Sequence, residues 1–566
     1  MKMFSLHIKK IDFFGQDALG FSQKNEDGKE LVSCKGATLS YIPDVRFARE
    51  EGVRISQGAL SFFNGLAYEY KGKRITSESI SLLSDALHEN VKSVDEVKGD
   101  FSCFTIAKNE ISLFSCKTNS KPVFYFSNKE HFICASNVIE LSRILKENGI
   151  AITLDNDGAY SLLSFGYILG TNTLVSEIKR LTPSTILTLS DIGVTTHEYY
   201  KFNTTANTQL KEADFIDQLD STFSRAIDNE FSKDIGLGLS HMMTISGGMD
   251  SRMVMAYADK LGYTDLNAIT FSQSNHSEHK IAKKVSEQYN ANFIFHPLDG
   301  GDYLKNIDEP VRYNGGTCIY AGAGHTLSML ETLDFSDQGI LHTGQLGDAV
   351  LGTYLAGPQR EQPKLGRSLK AHPLSDKISN YVTEEFQSYE NHELFKLYNK
   401  GFNEIFNGYR MIEQFTPFAS AFMDEDFIKL ALSIPPSMKF DRKLYYKWMN
   451  SAVPETTKVK ITATNLPPKN LYLTPPFNLL PKFNSYLNLA KYALIPGHVV
   501  SMNPFKKWFA ENESLNLFLN AYAMEHLIYL EGYNELRLDC ENLLKGGFND
   551  TFKVLTLLSS MKQLFN

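Results

Sequence analysis

Residues 241–262 read HMMTISGGMDSRMVMAYADKLG and contain the transition that decides the fold. An apolar run over 242–246 ends at a turn with two glycines, and an apparent helix begins near Asp250. A strand that runs directly into a helix is the repeating unit of a parallel sheet flanked by helices. The stretch therefore predicts a strand over 242–246 followed by a helix from Asp250 onward.

The segments on either side continue this alternation. Further apolar runs over 266–271, 292–295 and 339–343 predict three more strands, with helical patterns between them. Upstream, one apolar stripe at four-residue spacing predicts a helix that carries Phe215, Leu219, Phe223 and Ile227. We therefore expect an α/β domain built on a parallel sheet.

The N-terminal part has a different pattern. Its first ~200 residues are rich in short strand candidates separated by Asn, Lys and Ser, which is typical of an antiparallel sandwich. A polar stretch over 202–214 marks a linker. We predict a β-rich domain at 1–203 and an α/β domain at 210–566. The C-terminal part of the latter is expected to be mostly helical, with proline breaks at 467–468, 475–476 and 481.

The composition limits the partners and the compartment. The net charge of the 566 residues is −8, with 57 Lys and Arg against 65 Asp and Glu. This balance predicts no nucleic-acid partner and no membrane partner. The six cysteines form no CxxC pair, so they predict neither a zinc knuckle nor a disulfide framework. Because we find no signal peptide and no apolar run of membrane-spanning length, we expect a cytoplasmic protein.

The turn SGGMDS at 246–251 follows a predicted strand, where parallel sheets bind their ligands. Paired glycines let backbone N–H groups approach an anion and tolerate positive φ, and the following helix adds its N-terminal donors. Asp250 has the wrong charge for a bare phosphate, which suggests a bridging Mg²⁺. The alternative is an ordinary strand-to-helix turn in which Asp250 caps the helix. The spacing differs from that of a Walker A loop.

SGGMDS resembles the SGG-x-DS pyrophosphate-binding loop of the ATP pyrophosphatases, specifically that of the asparagine synthetase family. LHTGQLGDAVLGTY at 341–354 resembles the family's S-G-E-G-x-D-E-x-F-x-G-Y stretch, and AITFSQ at 268–273 is similar to its strand beside the adenine. The resemblance implies ATP and Mg²⁺ as cofactors, with Asp250 and Asp348 as the Mg²⁺ ligands. The nucleotide-binding residues that it implies are Ser246, Gly247, Gly248, Asp250, Ser251, Thr270, Ser272, Thr343 and Gly344.

The resemblance also covers the N-terminal part, where NGLAYEY (64–70) and KGDFSCF (98–104) are similar to stretches of the family's glutaminase domain. It implies an Ntn-hydrolase-like sandwich followed by an ATP-pyrophosphatase synthetase domain. Such a glutaminase begins with a cysteine once Met is removed, because the thiolate attacks glutamine. This sequence has Lys2 instead. We therefore expect a degenerate domain without glutaminase activity, which is structural or adapted to bind something else.

The synthetase half departs from the family pattern as well. Gln345 occupies the position of the family's catalytic Glu and cannot act as a base. The stretch that binds aspartate in the family aligns with 316–319, where Ile319 replaces the Arg. The family's loop lysine aligns with Lys460, while Lys458 or a position near Ala463 are the alternatives. Lys460 and Gln345 are therefore the candidate catalytic residues.

A general base is the least defined assignment. Glu413 and Asp424 are the candidates, because they lie in the helical region that closes this pocket in relatives. The resemblance implies a ligase that adenylates a carboxylate, from a small molecule or a peptide, and couples it to an amine or ammonia. The departures favour β-lactam synthetases, lasso-peptide cyclases and polysaccharide-cluster members over the housekeeping enzyme.

Two other functions stay open at this stage. One is asparagine synthesis from free ammonia, and the other is an ATP-binding scaffold without catalysis that docks a partner protein. A homodimer and a pathway partner enzyme are both compatible with the sequence. The presence of both aspartates argues against the scaffold, because a scaffold has no need for a paired metal site.

Overall fold

The computed structural model describes residues 3–14, 20–26, 28–56, 58–76, 79–107, 110–365, 373–468 and 501–566. Lys2, which bears on the glutaminase prediction, and the proline breaks at 475–476 and 481 lie outside these residues. The described chain forms an antiparallel β-sandwich, a parallel sheet with flanking helices, and a helical C-terminal part. The predicted fold class is therefore confirmed.

The sandwich consists of two antiparallel sheets. Its strands are β1 (Phe4–Lys9), β2 (Ser22–Glu26), β3 (Lys29–Cys34), β4 (Ala37–Tyr41), β5 (Gly52–Ser56), β6 (Ala59–Tyr70), β7 (Lys73–Arg74), β8 (Val97–Ala107), β9 (Glu110–Ser115), β10 (Phe124–Ser127), β11 (His131–Ala135), β12 (Lys179–Arg180), β13 (Thr185–Ser190) and β14 (Gly193–Glu198). The strand orders are β12-β10-β11-β1-β4-β3-β2 and β14-β13-β9-β8-β6-β5, with β7 beside β6. Phe4, Phe62 and Phe104 are buried between the sheets, where their rings contact one another.

The parallel sheet contains β15 (Ser240–Thr244), β16 (Asn267–Ser272), β17 (Asn292–Pro297), β18 (Gln338–His342) and β19 (Phe418–Ala419). Its order is β17-β16-β15-β18-β19, and every pairing is parallel. Met243 pairs with Ala268 on one side and with His342 on the other. The carboxyl ends of β15 and β18 are therefore neighbours. The four strands predicted here are all present, whereas β19 was not predicted.

Helices surround both parts. They are α1 (Lys10–Phe13), α2 (Ile80–Glu89), α3 (Val138–Glu147), α4 (Asn156–Phe165), α5 (Glu212–Leu237), α6 (Asp250–Lys260), α7 (Glu278–Gln288), α8 (Asp308–Asn314), α9 (Ala321–Leu330), α10 (Ser375–Gln387), α11 (His392–Lys396), α12 (Phe406–Tyr409), α13 (Glu425–Ser433), α14 (Pro436–Lys439), α15 (Lys443–Ala452), α16 (Phe505–Glu511), α17 (Glu513–His526), α18 (Asn534–Leu543) and α19 (Phe548–Phe565). Two π-helical segments span Ala349–Thr353 and Leu397–Ile405. No described helix has the length and apolar character needed to cross a membrane.

The predicted helices are confirmed where the structure describes them. All four members of the stripe on α5 are buried in the core of the α/β part. The predicted linker has no regular structure until α5 begins at Glu212. The C-terminal helix α19 packs on α3 and α4, so one apolar cluster contains residues of both predicted domains. The domain limits of 203 and 210 stay a prediction.

Charged side chains join the sandwich to the α/β part. Lys233 of α5 pairs with Glu50 at 2.8 Å, and both side chains are buried. Asn229 Nδ2 donates to Glu69 Oε1 at 2.7 Å, one turn earlier on the same helix. Because buried charges are costly unless they are paired, these contacts hold the two parts in a fixed arrangement.

Candidate active site

The loops that follow β15 and β18 line one cleft. The turn 246–251 follows β15, the loop 343–348 follows β18, and a cavity of about 470 Å³ lies beside them. That volume is in the range of ligand pockets, and the position is the one where parallel sheets bind ligands. The sequence-predicted residues that line it are Ser246, Gly248, Asp250, Ser251, Thr270, Gly344, Gln345 and Asp348.

Three of the four glycines in the two loops leave no room for a side chain, the exception being Gly248. The expected positive φ is wrong for both Gly247 and Gly248. A Cβ on Gly247 would instead overlap Thr462 Oγ1, and one on Gly347 would lie 2.6 Å from Asp250 Cγ. Gly344 lies equally close to the backbone of the turn. The loops therefore approach one another at distances that only glycine permits.

Hydrogen bonds fix the shape of the turn. Ser246 N–H donates to Ser251 Oγ at 2.9 Å, the two serine hydroxyls lie 2.9 Å apart, and Gly248 N–H donates to Ser246 Oγ at 3.1 Å. Gly247 N–H donates to Glu278 Oε1 at 2.7 Å. Gly247 does not line the cavity, and a carboxylate already occupies its N–H. Ser246, Gly248 and Ser251 of this hydrogen-bonded turn thus line the cleft together with Asp250.

Asp250 and Asp348 meet where the two loops contact each other. Asp348 N–H donates to Asp250 Oδ2 at 3.1 Å, and Tyr445 OH donates to Asp250 Oδ1 at 2.7 Å. Asp348 Oδ2 accepts from Thr353 Oγ1 at 2.9 Å. The N-cap position of α6 is Met249, and neither aspartate side chain caps a helix in the structure. The alternative interpretation of Asp250 as a helix cap is therefore wrong.

The electrostatics of this pair fit a divalent cation. Burial, followed by the negative charge of Asp348, raises the pKa of Asp250 to about 7. A cation between the two carboxylates would remove this repulsion and favour the ionised form. Two carboxylates with polyphosphate oxygens and water form a usual Mg²⁺ environment. The residues present therefore fit the Mg²⁺ that the sequence implies.

A buried guanidinium ties the turn to the segment that carries Lys460. The carbonyl oxygens that Arg252 contacts belong to Gly247, Gly248, Thr456, Val459 and Lys460. The Lys460 backbone is thereby fixed beside the turn, while its side chain is exposed and does not line the cavity. Lys458 pairs with Glu455 at 2.6 Å. Sequence reasoning missed Arg252, because carbonyl contacts across distant segments leave no spacing signal.

Two implied nucleotide-binding residues lie behind the cleft wall. Thr343 donates to the Ala419 carbonyl of β19 through both its N–H, at 2.8 Å, and its Oγ1, at 3.0 Å. Ser272 is buried and donates to the Gln273 carbonyl at 3.2 Å. Neither side chain lines the cavity. Both residues support the loops of the cleft from the sheet side.

Gln345 stands between this cleft and a second cavity of about 260 Å³. The side-chain amide of Gln345 donates to Tyr409 OH, and its backbone carbonyl accepts from Ser420 Oγ at 2.9 Å. Cys318 and Ile319, from the stretch that the resemblance connects with substrate binding, line the second cavity. A substrate held there would lie next to the nucleotide cleft.

The two candidate general bases, Glu413 and Asp424, lie outside both cavities. Burial raises the pKa of Glu413, but Arg410 and Lys121 outweigh this effect and bring it below its usual value. Asp424 caps α13 through backbone N–H groups, and burial raises its pKa to about 7. Neither residue lines the two cavities. Glu404 does line the second cavity. Its position in a π-helical segment could not be foreseen from the spacing of apolar residues.

Comparison with known protein families gives a match over the part of the chain that carries the cleft. A family model described as asparagine synthase matches residues 218–410. Residues 218–410 form an asparagine synthase domain. This domain contains the turn, both aspartates and Glu404, but it ends before Lys460.

One curated relative of the asparagine synthase domain is asparagine synthetase [glutamine-hydrolyzing] 1 of Bacillus subtilis (strain 168). It is 22% identical over 265 residues, which make up 44% of this chain. The aligned part spans only 40% of the length of that relative.

Two solved structures also match. They are a glutamine phosphoribosylpyrophosphate amidotransferase from B. subtilis complexed with ADP and GMP, and the allosteric regulatory enzyme of purine biosynthesis. They are 10% and 8% identical, and each covers 52% of this chain. The matches cover 91% and 80% of their chains, with TM-scores of 0.24 and 0.23. Because these TM-scores are low, the fold assignment rests on the strand order and register described above.

Proposed function

We propose that this chain is an ATP-dependent, AMP-forming amide synthetase without glutaminase activity of its own. One observation carries the proposal: Asp250 and Asp348 meet at neighbouring strand ends, beside the serine-rich turn and in one nucleotide-sized cavity. This is the placement that adenylation requires, because the metal and the phosphates have to share a site with the attacking carboxylate.

The reaction follows from this arrangement. The pyrophosphate part of ATP would lie on Ser246–Ser251, with Asp250 and Asp348 as Mg²⁺ ligands. Bound Mg²⁺ supplies neutralisation of phosphate charge. A substrate carboxylate attacks the α-phosphorus and pyrophosphate leaves. An amine or ammonia then attacks the acyl carbon, a C–N bond forms and AMP leaves. Lys460 is proposed to stabilise the charge that develops on the phosphate.

The polar groups of the sandwich support the loss of glutamine hydrolysis. Gly65 N–H donates to Glu51 Oε1 at 3.0 Å, and Asn64 Nδ2 donates to Ser102 Oγ at 3.0 Å. Tyr68 OH donates to Asp100 Oδ2 at 3.3 Å. The protein's own side chains thus satisfy the groups in the two glutaminase-like stretches.

Pyrophosphate release tests the proposal. ATP and Mg²⁺ are incubated with a panel of carboxylates, and hydroxylamine serves as a generic nucleophile that yields a hydroxamate. We expect hydroxamate and pyrophosphate from the wild type, and neither from Asp250→Asn or Asp348→Asn. The matched control is Asp217→Asn, because Asp217 is exposed on α5, away from the cleft. The proposal would be contradicted if Asp250→Asn and Asp348→Asn both released pyrophosphate at the wild-type rate.

The rival functions predict other outcomes. Hydroxamate formation with aspartate as the preferred acid would favour asparagine synthesis from free ammonia. Tight MgATP binding without turnover on a broad panel would favour a scaffold. Among the family branches, we propose the β-lactam, lasso-peptide and polysaccharide-cluster members as the nearest in chemistry, because Ile319 offers no positive charge for an α-carboxylate.

A further inference from the structure

The second cavity adjoins the nucleotide cleft. Five residues line both spaces: His325, Thr326, Gln345, Ile405 and Tyr409. Its volume of about 260 Å³ corresponds to roughly nine water molecules, so it fits a small organic group. A molecule in this cavity would therefore lie next to the proposed phosphate site, on the other side of a wall that the two spaces share.

The charge on the described walls of this cavity is negative. Cys318, Ile319, Gly322 and Gly408 give apolar or small surfaces, and no Lys or Arg is among its lining residues in the described part of the chain. Burial lowers the pKa of His325 to about 4, so this ring is neutral at physiological pH. Glu404 supplies the carboxylate.

In the described part of the chain, the charge of Glu404 is compensated by a single cation, Lys400. Its Oε2 is buried and accepts no hydrogen bond of acceptable geometry, although Lys400 Nζ lies 3.3 Å away. Lys400 is half exposed and lines the nucleotide cleft, where phosphate oxygens would compete for it. Burial raises the pKa of Glu404. A buried carboxylate in this state gains most from a positively charged partner.

We propose that the second cavity binds an alkylammonium group, held by Glu404, and rejects a second carboxylate. This proposal rests on the proposed function, since it names the substrate class of the same site. The ammonium belongs either to an amino acid whose carboxylate is adenylated or to a separate amine that later attacks. In both cases the recognised chemistry is the same: a small, mostly apolar molecule with one cationic nitrogen.

The test compares three acids of equal chain length: 5-aminopentanoate, pentanoate and glutarate. Their binding is measured by calorimetry on the full chain saturated with Mg²⁺ and α,β-methylene ATP, an analogue that cannot release pyrophosphate. We expect 5-aminopentanoate to bind about tenfold more tightly than pentanoate, and glutarate to bind more weakly than both. In Glu404→Gln this preference for the ammonium disappears, while the affinity for the nucleotide analogue is retained.

A matched variant and a charge reversal exclude a merely structural effect. Glu384→Gln removes an exposed glutamate on α10 and should leave all affinities at wild-type values. Glu404→Lys should invert the order and favour glutarate. If pentanoate binds as tightly as 5-aminopentanoate, if neither binds, or if Glu404→Gln keeps the preference, the assignment of the cavity is wrong.

The two sources of the ammonium are separated by turnover. ATP–pyrophosphate exchange that depends on 5-aminopentanoate identifies an amino acid as the adenylated substrate. Competition between butylamine and hydroxylamine for the adenylate of pentanoate identifies a separate amine. Failure of the proposed function is distinct from both outcomes, because the wild type would then either bind no nucleotide analogue or bind ATP and release no pyrophosphate with any acid.

Discussion

The Asp250–Asp348 pair at the cleft and the buried Asn64–Gly65 stretch are both polar sites, but their charges and hydrogen bonds are balanced in opposite ways. In the cleft, two carboxylates lie close together and the pKa of Asp250 is raised to about 7. In the sandwich, Glu51 and Ser102 satisfy the backbone and amide donors. Strongly shifted pKa values of this kind are enriched at functional sites. We therefore propose ligand chemistry for the cleft and a structural role for the sandwich stretch.

The largest expected effect falls on Asp348. Asp348→Asn should lower pyrophosphate release by about a thousandfold, because the variant loses one metal ligand and the charge neutralisation that it supports. The melting temperature should change little, because the Asp348 side chain is partly exposed. Steady-state kinetics together with a thermal melt check both statements. A loss below about tenfold would contradict the role of Asp348 as a metal ligand.

The next effect separates the two lysines. Lys460→Ala should reduce pyrophosphate release by about a hundredfold, because the proposed role of its side chain is to stabilise phosphate charge from a segment fixed beside the turn. Lys458→Ala is the control and should stay within about twofold, since Lys458 already pairs with Glu455. Equal losses in both variants would remove Lys460 from the catalytic assignment.

The contacts of Arg252 are tested through the stability of the protein. Arg252→Lys should lower the free energy of unfolding by about 2 kcal/mol, because an ammonium cannot serve all the buried carbonyl oxygens that the guanidinium contacts. Urea unfolding measures the change. Pyrophosphate release should also fall, since the turn loses its contact with the Lys460 segment. An unchanged unfolding midpoint would show that these contacts add nothing to stability.

The raised pKa of Asp250 predicts a pH effect with a definite sign. Between its usual value near 3.8 and about 7, folded Asp250 keeps a proton that the unfolded chain has lost. The free energy of unfolding of the metal-free protein should therefore fall as pH rises through this window. Relative to Asp250→Asn in chelator, the wild type should lose about 4 kcal/mol between about pH 4 and pH 8. The raised pKa of Asp250 would be contradicted if the free energy of unfolding changed equally with pH in the wild type and in Asp250→Asn.

The smallest effect belongs to the sandwich. Asn64→Ala should lower the free energy of unfolding by about 1 kcal/mol, because Ser102 Oγ loses its buried partner. The hydroxylamine-dependent turnover should stay at the wild-type value, and glutamine should support no reaction in either protein. Glutamine-dependent turnover that Asn64→Ala abolishes would overturn the assignment of the stretch as structural.

Much of the fold follows from local sequence signals. Apolar runs that end at glycine-containing turns predicted β15 and β18, and the stripe on α5 predicted a buried helix. The meeting of Asp250 with Asp348 was implied only by the family resemblance. It becomes a physical expectation once β15 and β18 are neighbours, because their carboxyl ends then share one edge.

Other features depend on contacts that spacing does not encode. Strand β19 is two residues long, so the burial of Thr343 behind it could not be predicted. The glycines of the turn were explained by positive φ, whereas the structure shows that Thr462 leaves no room for a side chain on Gly247. Glu404 reaches the second cavity from a π-helical segment, where the helical periodicity used for sequence reading no longer holds.

The most direct test of the central claim is a calorimetric titration of MgATP into the wild type and Asp348→Asn. The account predicts saturable one-site binding to the wild type that weakens strongly in the variant and in chelator. It would be contradicted if the wild type bound no MgATP, or if both proteins bound it equally well with and without Mg²⁺.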